Sequence, residues 1–434
     1  MNKEILKLAI PNVISNISVP LLSTVDTALM GRLSEFHLGA VGVGAMIFNF
    51  IYWNFGFLRM GTTGITAQAY GKEDKVEIMQ TLSRACFVAV CIICLVLVFQ
   101  KPLADISFHL MNISDEQCQL VKDYFYIRIW AAPATILLFA FLGWFFGMQN
   151  AIIPLCITIF INVVNIIFSY VLTYKMEMGI AGVAWGTVIA QYAGLALAII
   201  LFLLKYSNLL KAFSRKKTME FVALKKYLSI NRDIFIRTVC LTFAFGFFYA
   251  QSSKEGALIL AVNVVLLQFV NWMSYGIDGF AYASESLVGK YHGAQNENAL
   301  KRVIVLSFLW AIFLAVIYSL VYGFFGESLL YIFTDQKDII EKGKTFLIWM
   351  LLFPIIATAS YIWDGVYIGL TASRAMMQTM IVSLIIYVTS YYLGFKQLGN
   401  HGLWAALLLF LAARGLFQYV YYLRYLKPQL LSHS

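Results

Sequence analysis

The segment GWFFG at residues 143–147 returns as GVYIG at residues 365–369. The landmarks around each copy recur as well. Pro133 precedes the first and Pro354 the second, and Gly179 and Gly182 in GIAG answer Gly399 and Gly402 in GNHG. Gly71, closing AQAYG, matches Gly293, closing GKYHG. The second half thus echoes the first after about 220 residues, in the manner of an internal repeat. A doubled helical bundle with a seam between its halves is the usual build of a transporter that rocks around a midplane site.

Composition sets the environment. Of 434 residues, 61% are hydrophobic and 12% charged, against roughly a quarter charged in soluble domains. So little polar material cannot coat a water-soluble globule. Apolar stretches of about 20 residues recur, each long enough to cross a hydrocarbon core. The opening MNKEILKLAIPNVISNIS runs on at spanning length and lacks a small-residue cleavage site, so it reads as the start of a first span and not as a leader.

Twelve spans are expected, at about 5–31, 38–70, 82–100, 118–147, 152–174, 179–204, 233–251, 257–288, 303–325, 343–369, 376–395 and 402–425. The expected fold is therefore an all-α polytopic membrane protein. Its twelve transmembrane helices form two pseudo-symmetric six-helix lobes, 1–204 and 232–434, around a central cavity, joined by a basic cytoplasmic linker at 205–231. With both termini cytoplasmic, about twenty Lys and Arg fall on inner segments and about nine on outer ones, as the positive-inside rule requires. The net charge of +10 then reflects topology, and no nucleic-acid partner is implied.

Charges inside spans are costly and mark cavities or partners. Asp26 lies deep in the first span, Asp278 and Glu285 in the eighth, and Asp364 in the tenth. Glu285 is near enough to a span end to be read as a solvated helix-end charge. Arg59, Arg128 and Arg414 lie in spans two, four and twelve. For Arg59 and Arg128, snorkelling or structural pairing is the favoured reading. Asn162 and Asn165, one turn apart and followed by Ser169, offer polar partners in the fifth span, as does Thr187 in the sixth. Such groups often serve only as interhelical glue. Pro11 and Pro20 interrupt the first span and favour a bend there. The six cysteines show no metal-ligand spacing, and the five histidines form no catalytic cluster.

The chain resembles the multidrug and toxic compound extrusion (MATE) transporters, in their DinF-like branch. The resemblance rests on IPNVISNISVPLLSTVDTALMGRL, GITAQAYG, LGWFFGMQNAIIPL, NVVNIIFSYVL, GIAGVAWGTVIAQY, YGIDGFAYASESLVGKYHGA, DGVYIGLTASR and LGNHGLWAALLLFLAARG, in that order. It implies export of organic, cationic or amphipathic compounds across the bacterial cytoplasmic membrane, driven by inward protons or sodium, with no cofactor and no enzymatic activity. It also implies that Asp26 is a coupling residue. The family's fifth-helix pattern of two asparagines and an acid falls on Asn162, Asn165 and Ser169, so the acid is missing. That departure favours H+ over Na+. Thr187 fits the same chamber, and Asp278, Glu285 and Asp364 are possible coupling or substrate residues of the second lobe. Small organic substrates and membrane lipids are the expected partners of a monomer. A lipid-linked oligosaccharide flippase would need a cavity rich in Arg and Lys, and a membrane-embedded enzyme would need clustered catalytic groups.

Overall fold

The structure is a computed structural model. It describes the backbone of residues 1–30, 35–111 and 115–428, and the side chains of these except 19–30, 35–38, 110 and 115–117. In order the helices are α1 (Asn2–Met30), α2 (Glu35–Phe55), α3 (Phe57–Gly71), α4 (Lys75–Val98), α5 (Gln100–Leu110), α6 (Asp115–Arg128), α7 (Ala132–Gly147), α8 (Ile152–Tyr170), α9 (Gly179–Tyr206), α10 (Arg215–Thr218), α11 (Phe221–Lys254), α12 (Ala257–Gly293), α13 (Glu297–Phe333), α14 (Lys337–Lys344), α15 (Leu347–Gly369), α16 (Ser373–Leu393) and α17 (Gly399–Tyr421). Among the described residues, eleven helical segments are long and apolar enough to cross a bilayer, and they coincide with expected spans two to twelve. The first expected span falls on α1, a single helix of 29 residues that runs unbroken through Pro11 and Pro20.

Breaks within spans have local causes. Pro133, near the start of α7, has no N–H to donate to Ile129, and the chain passes through a tight 3-10 turn at Ile129–Ala131. Gly56 separates α2 from α3. Beyond α8 the helix widens into a π turn at Val171–Lys175.

The contacts divide the chain into two compact units. The amino-terminal unit is residues 14–228, and the carboxy-terminal unit is residues 229–434 together with residues 1–13. The sequence repeat is legible inside each. In the first, a Cβ on Gly143 would collide with the carbonyl oxygen of Arg59, and one on Gly147 would lie 2.9 Å from that of Thr63. In the second, Gly365 meets the carbonyl of Ala281 in the same way, and a Cβ on Gly369 would lie 2.7 Å from that of Glu285. Glycine is required at these crossings because backbone fills the space a side chain would take.

The helix ends repeat too. After Gly71 and Gly293 the chain reverses through Glu73 (φ 57°) and Gln295 (φ 54°), whose amides return to the carbonyls of Tyr70 and His292. The next side chains, Asp74 and Asn296, then cap α4 and α13. After Gly147 and Gly369, Gln149 (φ 60°) and Thr371 (φ 54°) make the corresponding turn.

Candidate functional site

The amino-terminal unit gathers neutral polar groups. Asn162, Asn165 and Ser169 share one face of α8 because they are spaced by about a turn. Asn165 is fully buried and donates from Nδ2 to Thr187 Oγ1 on α9 at 2.9 Å. Thr187 in turn donates to the carbonyl of Val183 at 3.1 Å. Ser169 is also fully buried, against Gly186 of α9, where a Cβ would strike the serine hydroxyl. Among the described residues, Asn165 Oδ1 and Ser169 Oγ have no hydrogen-bond partner. Asn162 turns to α1, donating from Nδ2 to the carbonyl of Ser18 at 3.0 Å, and Ser15 Oγ donates to Thr158 Oγ1 at 3.1 Å. Four of the five expected residues are therefore brought together here, along α8 and its neighbours. The fifth, Asp26, is carried on the backbone of α1, and its side chain lies outside the described residues, as does that of Pro20.

The carboxy-terminal unit gathers charges instead. Asp364 of α15 is buried, and its Oδ2 accepts from both Arg237 of α11 and Arg414 of α17. Its Oδ1 accepts from Gln418 Nε2 at 2.8 Å, so both oxygens are engaged. Arg414 donates also to the carbonyl of Ser360 at 3.3 Å, and Tyr367 Oη donates to the carbonyl of Gln418 at 2.6 Å. Asp278 of α12 is half-buried and within electrostatic reach of Arg237, Arg414 and Tyr361. Two guanidinium groups thus share the Asp364 carboxylate, with Asp278 nearby. A further cation at Asp364 would have to displace an arginine.

Glu285 departs from expectation. It is buried at 1% exposure, not solvated at a helix end, because its turn of α12 lies at the close crossing with Gly369 of α15. Arg59 is also buried, with its guanidinium 5.7 Å from the centre of the Phe146 ring, and Arg128 lies over the rings of Phe48 and Tyr52. Arg237 was not singled out from the sequence. It lies within the expected seventh span, four residues after Asp233. The signal that could have found it is the need of an in-span acid, Asp364, for a cationic partner.

Residues 11–171 and 234–393 match the MatE family model, once in each half, and the chain belongs to the MatE family. That family is one of transporters, not of enzymes. DNA damage-inducible protein F of Escherichia coli strain K12 is 34% identical over 418 residues, which are 96% of this chain and 90% of that protein. Multidrug and toxin extrusion protein 1 of Danio rerio is 24% identical, over 92% of this chain and 68% of its own. A crystal structure of MATE in the bent conformation matches with a TM-score of 0.89 at 18% identity, covering 99% of this chain and 95% of that one. At that identity the match bears on the fold, which is all-helical, polytopic and membrane-embedded.

Proposed function

We propose that this protein is a secondary active antiporter that exports organic, cationic or amphipathic compounds in exchange for protons, with Asp26 as the proton carrier. The observation that carries the reading is the neutrality of the α8–α9 cluster. Asn165, Thr187 and Ser169 supply oxygens and amides but no second carboxylate. Neutral dipoles give a sodium ion little compensation for its lost hydration, whereas one proton is enough to neutralise a lone carboxylate. Residue 26 is three helical turns beyond Ser15, whose hydroxyl already bonds α8.

In this reading a proton neutralises Asp26, and the hydrogen bonds that the ionised form demands relax. The segment of α1 near Pro20 then shifts, and substrate is released outward. Proton and substrate oppose each other's binding, and linkage makes that opposition reciprocal. The relative named for multidrug and toxin extrusion supports the substrate class. Asp364 is assigned a different part, that of counter-ion to Arg237 and Arg414, with Asp278 nearer to any exchangeable ligand of that unit.

The test is efflux of a cationic dye from proteoliposomes with pH and sodium gradients imposed separately. The pH gradient alone should drive wild-type efflux, and Asp26→Asn should abolish that component at normal expression. Unchanged pH-driven efflux in the variant, or dependence on sodium alone, would overturn the proposal.

A further inference from the structure

We infer that the basic segment between α9 and α11 is a preformed docking platform for anionic phospholipid in the leaflet on its side of the membrane. Residues 205–232 carry eight Lys and Arg against one acid, Glu220. Topology explains why such a segment is basic. It does not explain why the backbone there is fixed or why large apolar side chains are left outside.

The fixing is done by buried polar side chains of the amino-terminal unit. Gln80 of α4, 1% exposed, donates from Nε2 to the carbonyl of Ala212 at 3.0 Å and accepts from the Thr218 hydroxyl. Arg84, 3% exposed, donates from Nη2 to the carbonyl of Lys217 at 3.1 Å while Nη1 pairs with Glu77 at 2.7 Å. The start of α11 is held by Tyr227, whose hydroxyl lies 2.8 Å from Thr62 Oγ1 on α3. Three points of attachment therefore tie down the inner side of the segment.

Its outer side is left to solvent or lipid. Lys211, Arg215, Lys216, Lys217, Lys225 and Lys226 are all exposed. Between them Phe221 is 75%, Val222 73% and Phe213 52% exposed. Lys225 Nζ lies 5.8 Å from the centre of the Phe221 ring, one turn away on the same helix. Aromatic and aliphatic groups interleaved with ammonium groups suit the boundary between acyl chains and phosphate headgroups. A cluster of four to eight basic residues beside a span is the pattern that attracts anionic headgroups. A soluble acidic protein would satisfy the lysines and leave Phe221 and Val222 uncovered. Because the backbone is already held, lipid binding need not order a loop.

The experiment is native mass spectrometry of the full chain released from mixed bilayers of anionic and zwitterionic phospholipid. Wild type should retain anionic lipid in preference to zwitterionic. Lys216→Gln/Lys217→Gln/Lys225→Gln should lower that retention about a hundredfold. Lys101→Gln/Lys337→Gln/Lys342→Gln removes the same charge from exposed positions elsewhere and should leave retention unchanged. Phe221→Ser/Val222→Ser keeps every charge and should also weaken retention. Equal retention by the linker and control variants would overturn the inference, as would release of the lipid by inorganic phosphate at millimolar concentration, which would make the site one for free anions. Single Lys225→Gln serves should the triple variant not fold, and full retention by it together with the Phe221→Ser/Val222→Ser protein would count against the platform.

Discussion

The two units share a backbone plan and differ in the chemistry they bury. Glycine-mediated crossings, residue for residue, hold α3 to α7 in one and α12 to α15 in the other. Yet the first buries amides and hydroxyls around Asn165, and the second buries an ion cluster around Asp364. Duplication thus preserves what the crossings need, which is steric, and leaves free what the polar positions carry. At one pair of equivalent crossing positions, Arg59 stands where the other unit has Ala281.

The sharpest test of this contrast is stability. Asp364→Asn leaves two buried guanidinium groups with one fewer compensating charge. Truncating one partner of such a cluster costs about 3–5 kcal/mol, which thermal unfolding in detergent should register as a large loss. A change under about 1 kcal/mol would show the cluster to be hydrated and would erase the distinction between the units.

The shared part of the plan predicts equal effects. Gly143→Ala and Gly365→Ala each force a methyl group against a carbonyl oxygen and should each destabilise by about 1–3 kcal/mol. A tolerant Gly143 beside an intolerant Gly365 would mean that the repeat is geometric only. On the neutral side, Asn165→Ala should cost about 1 kcal/mol, because Thr187 retains its bond to Val183 and interhelical bonds in membranes are individually weak.

The smallest effect concerns acid pH. Burial pulls the Glu4 carboxyl upward, but bonds from Tyr291 and Lys290, with the charges of Lys290 and the amino terminus, outweigh it and hold the carboxyl below 4.5. A lowered folded value means that Glu4 contributes stability above its unfolded range and loses it as pH falls through the folded value. Glu4→Gln should therefore lower Tm slightly at neutral pH, and the gap to wild type should close in acid. A gap that persists there would show the contact to be steric.

Much of this was legible beforehand because its causes are local. Apolar length gives the spans, and the spacing of Gly143 and Gly147 gives a crossing wherever it recurs. Asn165 and Thr187 stood out because amides and hydroxyls are conspicuous within apolar runs. The ion cluster was only half legible. Asp364 was visible as an in-span acid, but its partners lie 127 and 50 residues away, at Arg237 and Arg414. Pairing over such distances is set by how α11, α15 and α17 pack. Glu285 was misread because its position near a helix end masked its burial, which comes from a neighbour on α15.

The four reversals that close α3, α7, α12 and α15 have a practical consequence. Glu73, Gln149, Gln295 and Thr371 hold left-handed backbone, which costs a side-chain-bearing residue roughly 1–2 kcal/mol. Glycine at any of them relieves that strain, partly offset by the greater freedom of the unfolded chain. The β-branched Thr371 has the most to gain. These positions are handles for engineering a hardier protein for purification, by changes that leave the polar clusters of both units untouched.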